Sequence, residues 1–227
     1  MNTNRFNVFN QIHKGLRALL FDTVMQIQQT DMSNAEAAAP VLEQTELLLH
    51  LFDSHAYHED TCILSAAEQH SPQVIKDFES EHETDLALSN SLRQKVTDYR
   101  LGQSDAARYV AGYNLYYALN DFVAFNLKHM NKEEQLLNTI LWTNYTDAEI
   151  LGMEHQIQQQ IEPEKMLTYF KWMIKGINNT ELIIWLNAVK AHAPDFVFNA
   201  LLETCQQNLP QDRWAVVEQQ ISEGAAI

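Results

Sequence analysis

The sequence predicts an all-α protein: an up-down-up-down four-helix bundle with a helical C-terminal extension. Helix breakers are scarce, with Gly 6 and Pro 5 in 227 residues, so long helices fit the chain better than a turn-rich fold. Apolar residues recur at three- and four-residue steps through four long stretches. Each of those stretches also carries a histidine in its apolar row: His13, His55, His82 and His129.

The first helix is expected over residues 5–29, with Phe6, Phe9, Ile12, His13, Leu16, Leu20, Val24 and Ile27 on one stripe. Thr30-Asp31 stops it, and Ser33-Asn34 supplies a cap for the next helix. That second helix is predicted from Ala35 to Glu68, with Pro40 near its start, where proline is tolerated. Leu47, Leu48, Leu51, His55, Glu59, Cys62 and Ile63 line one face of it. Ser71 and Pro72 open a third helix over 72–100, whose stripe is Ile75, Phe78, His82, Leu86 and Ser89. After a turn at Leu101-Gly102-Gln103-Ser104, a fourth runs over 105–143, with Leu115, Phe122, Phe125, His129, Glu133 and Leu136/Leu137 inward. Residues 1–143 therefore read as the bundle and 144–227 as an extension. The extension divides into shorter helices over 146–161, 163–177, 179–193 and about 195–220, with prolines at the joins. Trp172, Trp185 and Trp214 read as its packing anchors.

A net charge of -15 argues against nucleic acid or an anionic membrane face as partner. No stretch is apolar enough to span a bilayer, and the N-terminal residues run into an amphipathic pattern without a leader-like segment. The two cysteines, Cys62 and Cys205, form neither a CxxC nor a disulfide framework. A soluble, cytoplasmic protein is expected. Gly-rich phosphate loops and nucleophile elbows are absent.

The chemistry concentrates in two His-x-x-x-Glu pairs, His55/Glu59 and His129/Glu133. On a helix this spacing stacks an imidazole one turn from a carboxylate on the same face. A lone inward histidine is more often a satisfied core residue than a ligand. Four, one per helix, with carboxylates on the diagonal second and fourth helices, make a set that converges in the core. Left without a metal, these desolvated groups cost several kcal/mol per unpaired charge. Divalent cations relieve that cost by ligation. Without a thiolate set, zinc of the cysteine type is out. Mixed nitrogen and oxygen donors with bridging carboxylates suit iron or manganese. A ferritin-type site needs two Glu-x-x-His pairs, and the bundle offers only Glu79-x-x-His82.

The order lone His, His-x-x-x-Glu, lone His, His-x-x-x-Glu resembles the hemerythrin-like (HHE cation-binding) family over about residues 5–143. The phrases Ile12-His13-Lys14-Gly15-Leu16-Arg17, Glu81-His82 and His129 to Glu133-Glu134 are similar to it too. The resemblance implies a four-helix bundle around two iron ions, a di-iron centre with oxo or hydroxo bridging. By position, His13, His55, His82 and His129 become terminal ligands, and Glu59 and Glu133 the bridges. Oxygen-carrying members have a second third-helix histidine one turn from the first, and an aspartate one residue further along the last motif. Here Phe78 and Leu86 flank His82, and the last carboxylate is Glu133. Coordination positions are then left for water, or for His58, Glu81, Asp85 or Glu134.

Three readings follow. The first is a di-iron protein that binds or senses oxygen, nitric oxide or peroxide, or handles iron. The second is a di-iron oxidoreductase or peroxidase, with open positions that activate oxygen or peroxide. The third is a metal-dependent interaction module that uses the C-terminal helices as its partner surface. Tyr113, Tyr116 and Tyr117 read as packing on the fourth helix, and Cys62 as a small buried hydrophobe rather than a redox thiol.

Overall fold

The computed structural model describes residues 5–222, and among them every regular element is helical. The bundle is built from α1 (Asn10–Gln29), α2 (Ala35–His58), α3 (Ser65–Glu68), α4 (Pro72–Arg100) and α5 (Asp105–Asn144). α6 (Asp147–Gln160), α7 (Pro163–Gly176), α8 (Asn179–His192), α9 (Asp195–Asn208) and α10 (Gln211–Ser222) follow. Contacts divide the chain into two compact units. One holds the described residues up to Asn10 together with Leu19–Gln160, and the other holds Gln11–Ala18 with the described residues from Ile161 onward.

Four departures from expectation have physical causes. α1 starts at Asn10, not at residue 5. The Arg5 guanidinium binds Asp147 Oδ1 at 2.6 Å and the Trp142 and Tyr145 carbonyls at 2.7 and 2.6 Å, while Trp142 Nε1 donates to the Phe6 carbonyl at 2.7 Å. The segment before α1 thus caps carbonyls at the end of α5, and Phe6 spends its own carbonyl there. The second helix is not uniform: Glu59–Leu64 is π-helical between α2 and α3. On α4, Leu86 is half exposed and Asp85 is buried in its place. The last expected helix is two, because Pro210 forces Leu209 into an extended conformation (ψ 146°) between α9 and α10.

The expected caps form where the side chains allow. Asn34 accepts from the Glu36 and Ala37 amides, and Ser104 accepts from Ala107 at 3.2 Å. Ser71 precedes Pro72 without making a side-chain cap bond.

Within the first unit, α5 reads from end to end as apolar, polar, apolar. Leu115, Leu119 and Phe122 are buried, then Asn126, His129 and Glu133, then Leu137 and Leu141. The far apolar zone gathers Phe9, Ile63, Phe78, Leu137 and Leu141, with Ile150, Met153 and Ile157 of α6. On the other side of the polar layer, Phe52 and Phe122 meet edge to face at 5.3 Å. A polar layer between two apolar ones is held in place by its neighbours and shielded from bulk water.

The second unit has its own core of Ile174, Leu182, Leu186, Leu201, Cys205 and Val217, with Trp185 and Trp214 packed against it. Trp172 is buried and lies under Lys175 Nζ, 4.4 Å from the ring centroid. The Gln11–Ala18 turns of α1 meet α7 at two glycines. A Cβ on Gly176 would stand 2.2 Å from the Lys14 carbonyl oxygen, and one on Gly15 would stand 2.8 Å from Met173 N. Lys14 pairs with Glu181 at 2.5 Å, and Glu181 also closes the capping box of α8 with Asn178.

Candidate metal centre

The i,i+4 geometry expected of both motifs is present. His55 Nε2 stands 3.1 Å from Glu59 Oε1, and His129 Nε2 stands 2.9 Å from Glu133 Oε1. From α4, His82 turns its Nε2 between the two carboxylates, 3.7 Å from Glu59 Oε2 and 3.6 Å from Glu133 Oε1. Glu59, His82, His129 and Glu133 each offer a ligand atom within 4.8 Å of the others, and all four are buried. His55, Glu59 and Glu133 are mutually just as close. The two carboxylates are common to both groupings. His13 is fully buried on α1, in the stretch that belongs to the second unit.

The spacing fits metal ions. First-row divalent cations hold nitrogen and oxygen donors at about 2.0–2.2 Å, so donors around one ion stand roughly 3 to 4.4 Å apart. Neither contact of His82 Nε2 is as short as a hydrogen bond, and this buried atom has no hydrogen-bond partner. An atom with those surroundings is satisfied by a cation between it and the carboxylates. The donor set, imidazole and carboxylate without thiolate, suits first-row divalent cations.

Without metal, protons take its place. Burial pulls His82 down, but its bond to Asp60, the carboxylate of Glu133 nearby and the charge of Glu59 outweigh this and raise it to about 10. His129 is likewise raised: burial opposes its charge, and Glu133, Glu81 and Glu59 overcome that. Burial and the charge of Glu59 push Glu133 up, yet His129 and His82 hold it below the ordinary carboxylate range. A site that draws protons onto its imidazoles exchanges them for metal.

Sequence reasoning missed Asp60 and placed Glu81 among possible ligands, whereas both sit as outer carboxylates. Asp60 Oδ1 lies 2.6 Å from His82 Nδ1, and Glu81 Oε2 lies 2.8 Å from His129 Nδ1. Lys132 Nζ holds the other Glu81 oxygen at 2.6 Å. Each histidine of this grouping thus has a carboxylate on its far nitrogen, which fixes the ring and leaves Nε2 for a ligand. The readable signal was a carboxylate beside a residue of the grouping in each case, in Glu59-Asp60 and Glu81-His82. Consecutive residues on an ordinary helix do not face the same way. The π turn, with more residues per turn, brings Glu59 and Asp60 to opposite nitrogens of one imidazole.

The other candidates fall outside the two groupings. Glu81 is committed to His129 and Lys132. Asp85 is buried and accepts from Asn126 Nδ2 at 2.6 Å. His58 is buried and Glu134 half-buried, and neither joins a grouping among the described residues. Phe78 is fully buried beside the His129 ring, 5.9 Å between centroids, and Phe125 stacks on that ring at 5.7 Å. Cys62 is half-buried with Gln160 Nε2 at 3.7 Å, so it is less enclosed than expected. Tyr113 and Tyr117 lie exposed on α5, in a row with Tyr109.

Residues 5–141 match the family described as Hemerythrin HHE cation binding domain, and the chain belongs to that family. No curated protein and no solved structure gives a match. Family and cluster together support a metal-binding protein. Among the described residues, no helix is long and apolar enough to cross a membrane.

Proposed function

We propose that this chain is a non-haem di-iron protein that binds or senses oxygen, nitric oxide or peroxide in the cytoplasm, or handles iron through the same site. The carrying observation is that Glu59 and Glu133 are common to two groupings of donor atoms, as bridges between two ions are. In this reading His82 and His129 hold one ion, and His55 holds the other. Residues 1–143 form the metal-binding bundle, and the helices of 144–227 have a role of their own.

Bound iron would supply one-electron redox change and open positions for a small ligand. The chain's own residues set what reaches those positions. Phe78 and Leu86, one turn to either side of His82, offer no second third-helix histidine, which leaves coordination incomplete, with the buried Phe78 phenyl on one side. Phe78 and Phe125 exclude bulk water around His129 and favour a small uncharged ligand over an anion. Asp60 and Glu81 hold the two rings in one tautomer and raise their basicity. The free cysteines and the charge of -15 support a reducing compartment and a role away from nucleic acid.

The test is to load the protein with ferrous iron and titrate nitric oxide and hydrogen peroxide, following the visible spectrum. Stoichiometric spectral change that is lost in His129→Ala and Glu133→Ala supports binding or sensing. Sustained peroxide decay over many turnovers would move the reading to an oxidoreductase. No spectral response to either ligand would contradict both.

A further inference from the structure

Two stretches of the first unit expose no charged residue: 19–29 of α1 and 106–120 of α5. The charges within them are half-buried and spent on neighbours. Asp22 accepts from the Gln26 and Gln44 amides, and Arg108 binds Asp105 and the Ser33 and Gly102 carbonyls. What the two stretches show to solvent is largely aromatic and aliphatic. Tyr109, Tyr113 and Tyr117 stand one turn apart along α5, with successive ring centroids at 4.9 and 6.1 Å, and Val110 is exposed in the same stretch. Tyr116 meets Tyr117 at 5.6 Å and donates from its hydroxyl to Gln28 Oε1 of α1 at 3.1 Å. Phe21, Met25 and Gln28 fall at i, i+4 and i+7, on one face of α1. The opposite side of α5 is already in the core here, through Leu115 and Leu119. A helix apolar on both sides is normally covered on both.

We propose that this face joins two copies of the chain, paired about a two-fold axis at Tyr113. Tyr109 and Tyr117 lie one turn before and one turn after it. Antiparallel α5 helices meeting there set Tyr109 of each copy against Tyr117 of the other, a self-complementary row. Charge selects the same occupant. Each copy carries a net -15, and two such chains approach best where neither exposes a charge. A basic partner would gain more from the acidic surface elsewhere. Area agrees as well: Phe21, Met25, Tyr109, Val110, Tyr113 and Tyr117 are each close to half exposed. At about 200 Å² for a whole large side chain, the six offer roughly 600 Å² per copy. The pair then buries roughly 1,200 Å², where specific interfaces begin, with tyrosine at the centre as such interfaces favour. The inference does not rest on the metal reading, since His129 lies more than three turns beyond Tyr117 on α5.

The experiment is sedimentation equilibrium of the full chain from about 1 to 100 μM. The wild-type mass should approach twice 26.2 kDa as concentration rises. Tyr113→Glu sets two like charges at the axis and should raise the dissociation constant at least about tenfold. Ile184→Glu, the same change at an exposed apolar residue of the second unit, should leave it unaltered. Far-ultraviolet circular dichroism of each variant separates lost pairing from lost helix. Added salt should tighten the wild-type pair by screening the repulsion between acidic copies, whereas an interface of ion pairs would loosen. Under mild oxidation, Tyr113→Cys should cross-link with itself, and Tyr109→Cys only when mixed with Tyr117→Cys. A wild-type chain that stays monomeric throughout would overturn the pairing and give the face to a different protein. A dimer weakened alike by Tyr113→Glu and Ile184→Glu, or by neither, would overturn it too.

Discussion

At the scale of single residues, the centre depends on atoms that look inward and on atoms that look away. Glu59 and Asp60 are neighbours in sequence, yet one faces the shared space between donors and the other holds the far nitrogen of His82. Asp60→Asn keeps the shape and removes the charge that makes His82 a strong donor. Outer carboxylates of this kind are worth about 10- to 100-fold in metal affinity. Competition with a chromophoric chelator is expected to show that loss, and an unchanged affinity would mean Asp60 does not support the ligand. Asp85 is a second case. Burial raises it above the ordinary carboxylate range, against the bond from Asn126 and the nearby histidines. A carboxyl raised on folding has no penalty at low pH, where it is protonated in both states. Stability is lost as pH rises through the range where only the unfolded form ionises freely. Asp85→Asn is therefore expected to stabilise the metal-free protein at neutral pH, on the order of 1 kcal/mol or about 2–4 °C in Tm. The gain should vanish in acid below the unfolded carboxylate pKa of about 3.9, which thermal melts across pH would reveal.

At the scale of elements, much of the bundle was legible because amphipathic periods are long and caps are local. α4 ends at Arg100 as expected, and α5 runs to Asn144, one residue past the expected end. The misses share a cause. A π turn adds no residue type to the sequence, so Glu59–Leu64 reads as ordinary helix until the backbone is seen. Both Asp85 and Leu86 lie within one turn of His82, and a periodic pattern alone does not choose between i+3 and i+4. Packing chose Asp85, with Asn126 across from it, and left Leu86 half exposed. The clustered histidines stood out because imidazole is rare in apolar rows, whereas their outer carboxylates blended into an acidic sequence. Close helix contact is likewise invisible without coordinates. Gly176 packs so tightly on the Lys14 backbone that no Cβ fits. Gly176→Ala should cost about 1–3 kcal/mol by overpacking, more than the roughly 1 kcal/mol of helix propensity it gains. A denaturant midpoint at or above wild type would contradict this contact.

At the scale of the whole molecule, charge and metal are linked. The described bundle confines two buried carboxylates with imidazoles that carry protons when metal is absent, His82 among them at about 10. Because that histidine is raised, its contribution to the stability of metal-free protein is full below about pH 6.5 and declines as pH climbs toward 10. Metal loading at neutral pH should therefore expel protons, and calorimetry in buffers of different ionisation enthalpy should count them. In the proposed centre, Glu59 and Glu133 would bridge two ions. Elemental analysis of protein purified from iron-replete cells, with its visible spectrum, tests that most directly. Roughly two irons per chain with near-ultraviolet oxo-bridge absorption, falling to one or none in Glu133→Ala, is the predicted result. A single colourless zinc, or no metal in the wild-type chain, would contradict it.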